Sequence, residues 1–165
     1  MPRLFKKSAK PVGGAPGELF HVGEKEIEHV QISLMDYNQD HITEHMSVTI
    51  DAFFSLRDDQ SVTWLNICGI HDIELIEKIG HNLNIHPLVM EDIVNSRQRP
   101  KIEDFEDYIF ILLKMLYIDD KDNEIKAEQV SVILGSNFVI SFQETEKDVR
   151  YQLSFTVSPG RGYNL

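Results

Sequence analysis

The sequence predicts a layered α/β domain built on a mixed β-sheet. Three observations lead to this fold class: strand-like segments lie before and after a helical middle, one central segment is apolar throughout, and the last three strand-like segments follow one another along the chain. The chain has 165 residues, of which 42% are hydrophobic, and this is sufficient for one domain with a buried core.

The N-terminal part is predicted to change from a leader into strands. Residues 1–17 are dense in Pro, Gly, Lys and Ser and are expected to form a flexible leader. The segments ELFHV at 18–22 and IEHVQISLMDY at 27–37 have the roughly alternating, β-branched pattern of strands. Residues 47–56 place apolar side chains at mixed spacings, which fit a short helix only in part.

The middle of the chain predicts a buried strand followed by two helices. The continuous apolar run SVTWLNICGI at 61–70 is typical of a fully buried strand, in which Trp64 is expected to be largely buried. In the segment at 71–84, Ile residues recur at helical spacing after Asp72, a favourable N-cap residue. A second helix is expected to begin at Pro87, because proline suits the first helical position.

The C-terminal third predicts an antiparallel meander. Its three strand-like segments are DYIFILLKMLYIDD at 107–120, AEQVSVILG at 127–135 and FVISF at 138–142, and the short segments between them contain Asp, Asn, Gly and Ser. The segment at 149–158 satisfies both the alternation of a strand and the i,i+4 spacing of a helix. The pattern slightly favours a strand there, and both interpretations stay open.

Charge and composition exclude several functional classes. Asp and Glu outnumber Lys and Arg by 27 to 16, so the formal net charge of −11 argues against nucleic acid and favours cations as partners. The single cysteine, Cys68, excludes an internal disulfide and a multi-cysteine zinc site. No signal-peptide core is present, and no segment approaches the roughly 20 apolar residues of a membrane-spanning helix. By itself the chain is expected to be soluble, and no organic cofactor is predicted.

The candidate site is the adjacent carboxylate pair Glu91 and Asp92 on the second predicted helix. Successive residues of a helix point about 100 degrees apart, so the two carboxylates are poorly placed to chelate one small ion together. They suit an exposed helix face, or separate ligands to ions shared with another segment or chain. His71, His81 and His86 flank the pair but match no zinc pattern, and they are interpreted as surface or capping groups.

Several motifs, in order, resemble the N-terminal cytoplasmic domain of the CorA magnesium and cobalt transporters. The resemblance covers roughly residues 19–149. The matching motifs are WLNI at 64–67, GIH at 69–71, IHPLV at 85–89, EDI at 91–93, QRPK at 98–101, FEDYIFI at 105–111, EQVS at 128–131 and FQE at 142–144.

The resemblance implies an αβα sandwich over residues 18–149, which in complete family members forms a funnel of five subunits on the cytoplasmic side of a membrane pore. It also implies that Glu91 and Asp92 contribute to regulatory Mg²⁺ or Co²⁺ sites between subunits, where bound ion holds the funnel closed. Other ligands of those sites come from later helices of the family chain. Magnesium keeps much of its water, so a ring of acids can bind it weakly through its hydration shell.

The sequence departs from the family pattern beyond this domain. The membrane spans and the Gly-Met-Asn pore signature are absent from it, and residues 150–165 are interpreted as a truncated or divergent end leading toward the missing stalk helix. The leading hypothesis is a non-enzymatic, cation-sensing domain of a homopentameric transporter at the cytoplasmic face of the membrane. The alternatives are a domain of a zinc-transporting relative, and a free-standing metal-dependent hydrolase that uses Glu91, Asp92 and nearby histidines.

Overall fold

A computed structural model describes residues 19–23, 27–57, 60–119 and 123–145 of the chain. The elements in chain order are β1 (Gln31–Tyr37), β2 (Ile42–Met46), α1 (Ile50–Leu56), β3 (Val62–Cys68), α2 (Ile73–Asn82), α3 (Pro87–Val94), β4 (Lys101–Asp104), β5 (Tyr108–Ile118), β6 (Ile125–Gly135) and β7 (Phe138–Gln143). The predicted leader at 1–17, the segment at 149–158 and the end at 150–165 lie outside the described residues.

The seven strands form one mixed sheet in the order β2-β1-β3-β7-β6-β5-β4. Strands β3 and β7 pair in parallel, and every other neighbouring pair is antiparallel. The predicted α/β class with a mixed, partly antiparallel sheet is therefore confirmed. The predicted meander is also confirmed, as β5, β6 and β7.

One face of the sheet carries the main core. Leu65 and Ile67 of β3 are register partners of Ile140 and Phe142 of β7, and all four side chains belong to one buried cluster. Helix residues complete this cluster: Ile50 and Phe53 of α1, Ile76 and Ile79 of α2, and Val89, Met90, Ile93 and Val94 of α3. Because side chains alternate along a strand, Trp64 points to the opposite face, where it is only 6% exposed. The prediction of a buried Trp64 is confirmed.

The helices begin where the sequence predicts. The Asp72 carboxylate accepts a hydrogen bond from the Leu75 amide at 3.0 Å and caps α2. Pro87 occupies the first turn of α3, and the His86 imidazole accepts a hydrogen bond from the Leu88 amide at 3.2 Å. The short helix expected within residues 47–56 forms as α1. Among the described residues, no helix combines the length and apolar character needed to cross a bilayer.

The predicted strand at 18–22 is wrong in its described part, 19–22. Val22 makes one isolated parallel bridge, to Asn95, and its amide and carbonyl groups bond to Val94 and Ser96 at 3.1 Å each. These partners lie at the end of α3, where the preceding backbone groups are bonded within the helix, so the pairing cannot extend into a ladder. Of the apolar residues in this segment, Leu19 is buried in the core.

Candidate functional site

The candidate carboxylates lie on the rim of α3. Val89, Met90 and Ile93 of this helix are buried against the sheet, whereas Glu91 and Asp92 are partly exposed. The apolar spacing therefore fixes which face of the helix carries the acids. Both predicted site residues are brought to the boundary between the core and the solvent.

Asp92 contacts a lysine of the edge strand β4. The Lys101 Nζ atom is 2.6 Å from Asp92 Oδ2 and 2.9 Å from Glu103 Oε1. The Asp92 side chain is 14% exposed, that of Lys101 31% and that of Glu103 42%. Lys101 and Glu103 are two residues apart on one strand, so their side chains share a face, and the ammonium group lies between the two carboxylates.

The environment of Lys101 favours its charged form. Its Nζ lies 5.5 Å from the centroid of the Phe110 ring, which is within cation–π range. Burial alone would lower the pKa of Lys101, but the hydrogen bonds to Asp92 and Glu103 and their negative charges raise it overall. The ammonium group is therefore a permanent positive charge beside Asp92 at neutral pH.

A buried glutamine holds the backbone of this helix in place. The Gln129 Nε2 atom donates to the carbonyl oxygens of Asp92 and Asn95, at 3.0 Å each. Its Oε1 atom accepts from the Gln98 amide at 3.2 Å and from Lys114 Nζ at 3.1 Å. The side-chain amide has two donor hydrogens and two acceptor lone pairs, so all four are used. Gln129 is only 2% exposed and fixes the position from which the Asp92 side chain extends.

The same network continues to the end of the described chain. Lys114 Nζ donates to the Ser96 carbonyl at 2.6 Å, and Glu144 Oε1 accepts from the backbone amide of Gln129 at 3.0 Å. Burial lowers the pKa of Lys114, while the negative charge of Glu144 opposes this shift. The residues that follow β7 are thus bonded to the strand that holds α3.

Glu128 forms the neighbouring part of this network. Its carboxylate oxygens accept from the amide and the hydroxyl of Thr145, at 2.7 and 2.8 Å. Burial raises the pKa of the Glu128 carboxyl, and the hydrogen bonds from Thr145 partly oppose this. In the sequence, Glu128 and Gln129 stand out only as part of the family motif EQVS at 128–131. Their contacts join residues far apart in the chain, and no local pattern signals them.

The histidines do not complete a metal site with the acids. His81 is exposed on the last turn of α2 and His86 caps α3, which confirms their interpretation as surface and capping groups. His71 is half-buried, with its ring centroid 6.4 Å from that of His21. In the described ranges, no group of three or more His, Cys, Asp or Glu side chains is placed to hold a metal ion.

The donors at the site nevertheless fit a hard cation. Carboxylate oxygens are the ligands that Mg²⁺ prefers, and Asp92 Oδ2 already contacts one cationic group, the ammonium of Lys101. Two adjacent carboxylates do not enclose an ion, so water or another segment would have to supply the remaining ligands. The two acids thus offer oxygen ligands of the type that Mg²⁺ prefers, at the edge of the domain, but only part of a coordination shell.

Comparison with known proteins identifies the family. Residues 59–162, more than half of the chain, match the family model described as CorA-like Mg2+ transporter protein. The chain is also 42% identical over 147 residues to the cobalt/magnesium transport protein CorA of Thermotoga maritima. That match covers 89% of this chain and 40% of the relative, so the chain spans less than half the length of the transporter that it matches.

Solved structures show the same fold at low sequence identity. The full-length CmaX protein aligns with a TM-score of 0.56 and 14% identity, covering 73% of this chain and 36% of that chain. The cytoplasmic domain of ZntB from Vibrio parahaemolyticus aligns with a TM-score of 0.54 and 12% identity, covering 78% and 49%. Because the family model matches more than half of the chain, the chain belongs to the family of CorA-like Mg²⁺ transporter proteins.

Proposed function

We propose that this chain is the cytoplasmic regulatory part of a CorA-type magnesium and cobalt transporter. In this proposal, Glu91 and Asp92 bind Mg²⁺ or Co²⁺ weakly where neighbouring subunits of a homopentamer meet. The observation that carries it is the position of Asp92 at the rim of the domain. Its backbone carbonyl accepts a hydrogen bond from buried Gln129, and its carboxylate contacts the ammonium group of Lys101. Family membership and the net charge of −11 support the same role.

Binding of a divalent ion between subunits would act as a sensor through simple electrostatics. Carboxylates that face one another across an interface repel, and a shared ion removes this repulsion. An ion that binds one arrangement more tightly shifts the population toward that arrangement. The role is non-enzymatic: the acids bind the ion and the rest of the domain transmits its presence to the membrane part of the complete protein.

Sequence similarity and ligand chemistry both favour Mg²⁺ or Co²⁺ over Zn²⁺ as the bound ion. The relative at 42% identity is named as a cobalt/magnesium transport protein, whereas the likeness to ZntB, at 12% identity, concerns the fold. Oxygen ligands also favour Mg²⁺ over Zn²⁺, which binds well to sulfur and nitrogen. Uptake of Mg²⁺, Co²⁺ and Zn²⁺ by cells that express the complete transporter distinguishes the two assignments.

The proposal is tested in the complete transporter with Asp92→Asn. Ion flux into proteoliposomes is measured while the Mg²⁺ concentration on the cytoplasmic side is varied. We expect closure to require a several-fold higher Mg²⁺ concentration than in the wild type. Asp51→Asn removes the carboxylate of a separate ion pair, with Lys78, and is the matched control. An unchanged Mg²⁺ dependence of Asp92→Asn would overturn the site assignment.

A further inference from the structure

Lys101 occupies the part of Asp92 that a metal ion would need. Its Nζ is 2.6 Å from Oδ2, a short charge-assisted contact, and the Asp92 side chain is only 14% exposed. Little of the carboxylate is therefore open to a second cation from solvent. A divalent ion on the same carboxylate would also lie within a few ångströms of the ammonium group, where like charges repel.

The structure also provides a second position for the displaced ammonium group. Glu103 Oε1 is already 2.9 Å from Lys101 Nζ, and the face of Phe110 lies below it at 5.5 Å. The Lys101 side chain is 31% exposed and Glu103 is more exposed than Asp92, so movement toward Glu103 is also movement toward water. Release from Asp92 thus leaves the lysine with a negatively charged partner.

We infer that Lys101 is an internal competitor for the divalent cation at Asp92. A metal ion binds Asp92 by displacing the Lys101 ammonium group, which stays paired with Glu103. This inference rests on the proposed function, because it concerns the regulation of the same site. Its consequence is a lowered affinity: each binding event must break an existing ionic contact, so the site fills only at high concentrations of the divalent ion.

The test uses the complete transporter, in which neighbouring subunits are present, and Co²⁺ as the probe, with NMR broadening of the amide signals of residues 90–94 as the readout of binding. Lys101→Met removes the charge but keeps most of the aliphatic stem over Phe110. We expect this variant to bind Co²⁺ about three- to tenfold more tightly than the wild type, which is the effect that the net contribution of one typical, partly exposed hydrogen bond implies. Lys101→Arg keeps the charge and is expected to retain the wild-type affinity.

Lys78→Met is the matched control. Lys78 Nζ lies 2.7 Å from Asp51 Oδ1, in an ion pair that is separate from Asp92 and Lys101. This variant should leave Co²⁺ binding unchanged. With Mg²⁺ in place of Co²⁺, the Cε signal of Lys101 should shift with the same midpoint as the Asp92 amide, whereas that of Lys78 should not.

The outcomes separate the inference from the proposed function. If Asp92→Asn abolishes Co²⁺ binding but Lys101→Met does not strengthen it, the competition is wrong and the site assignment stands. If Asp92→Asn leaves the broadening unchanged, the site assignment itself is wrong, and the inference with it. Failure of Lys101→Met to bind more tightly than the wild type overturns the inference in every case.

Discussion

The side-chain amide of Gln129 donates to the main-chain carbonyl of Asp92 over 3.0 Å. The buried sheet therefore holds the backbone of an acidic residue whose side chain faces the edge of the domain. The peptide group of Asp92 is thus fixed by β6, whereas its carboxylate forms an ion pair with Lys101. The proposed sensing role requires a carboxylate that has a rigid support and can exchange its cationic partner.

Replacement of Gln129 by leucine should strongly destabilise the domain. Leucine has a similar volume but removes one hydrogen bond each from the carbonyl groups of Asp92 and Asn95, the Gln98 amide and Lys114. We expect a loss of about 3–5 kcal/mol in the free energy of unfolding, because four hydrogen bonds of a buried network are lost together. Urea unfolding measures it.

The control for this variant is Gln39→Leu, at an exposed position in the β1–β2 turn, which should change the stability by less than about 0.5 kcal/mol. Hydrogen exchange adds a local readout, since the Gln98 amide should be less protected in Gln129→Leu, where only its longer contact with the Asn95 carbonyl remains. A stability equal to that of the wild type would show that the network is replaced by water without cost.

Much of the fold is predictable from local signals. Helices α2 and α3 begin at residues that favour a helix start, Asp72 as N-cap and Pro87 in the first turn. Strand β3 is an apolar run that is long enough for one strand only. The strands β2 and β4 were not predicted. The first is exposed along its whole length, so it has no alternation of buried and exposed positions to detect.

The turn before β2 depends on one side chain that the pattern does not reveal. Asn38 Oδ1 accepts from the amides of Asp40 and His41, and the Asn38 amide donates to the His41 carbonyl. This asparagine turn reverses the chain and creates the hairpin. Similarly, the sequence predicts the candidate acids Glu91 and Asp92, but Lys101 and Gln129 reach Asp92 only through the tertiary fold.

Close packing of α2 on α3 should make Gly80→Ala costly. A Cβ atom at residue 80 would lie 1.8 Å from the sulfur of the buried Met90, so either the helices or the Met90 side chain must shift. Alanine normally favours a helix over glycine by about 1 kcal/mol, but overpacking costs about 1–3 kcal/mol. We expect net destabilisation, measured by thermal or urea unfolding.

A double-mutant cycle identifies the cause of this effect. Met90→Ala alone should cost about 2–5 kcal/mol through a cavity. In the presence of Met90→Ala, Gly80→Ala should become neutral or stabilising, because the clashing sulfur is gone. Additive losses in the double variant would contradict a direct contact between the two positions.

Ser141 links the tryptophan to a buried polar network on the other face of the sheet. The Trp64 Nε1 group donates to Ser141 Oγ at 2.9 Å, and this hydroxyl donates to Asn66 Oδ1 at 2.7 Å. Ser141→Ala leaves the Trp64 indole N–H without its acceptor and removes one of the two hydrogen bonds to Asn66 Oδ1, which still accepts from Gln143 Nε2 at 3.3 Å. We therefore expect a loss of about 1–3 kcal/mol. Trp64 is the single tryptophan, so its fluorescence follows unfolding directly. Ser55→Ala, at an exposed site on α1, is the control and should stay within about 0.5 kcal/mol.

Glu128 gives the domain a pH-dependent stability. Its pKa is raised above the ordinary value of 4.5, chiefly because burial disfavours the charged form. Between the ordinary and the raised pKa, the folded state holds a proton that the unfolded state has lost. The unfolded state therefore binds fewer protons, and the stability contributed by Glu128 decreases as the pH rises through this window.

Glu128→Gln should remove this dependence, because the amide does not titrate but can still accept a hydrogen bond from Thr145. We expect the stability of the wild type, relative to the variant, to decrease as the pH is raised from below 4.5 through the raised pKa of Glu128. Urea unfolding over this pH range measures the difference, with Glu77→Gln, an exposed carboxyl on α2, as the matched control. A constant difference between wild type and Glu128→Gln would mean that the carboxyl is as well solvated when folded as when unfolded. An increase with pH would mean that the hydrogen bonds from Thr145 outweigh burial, and that Glu128 is held charged in the folded protein.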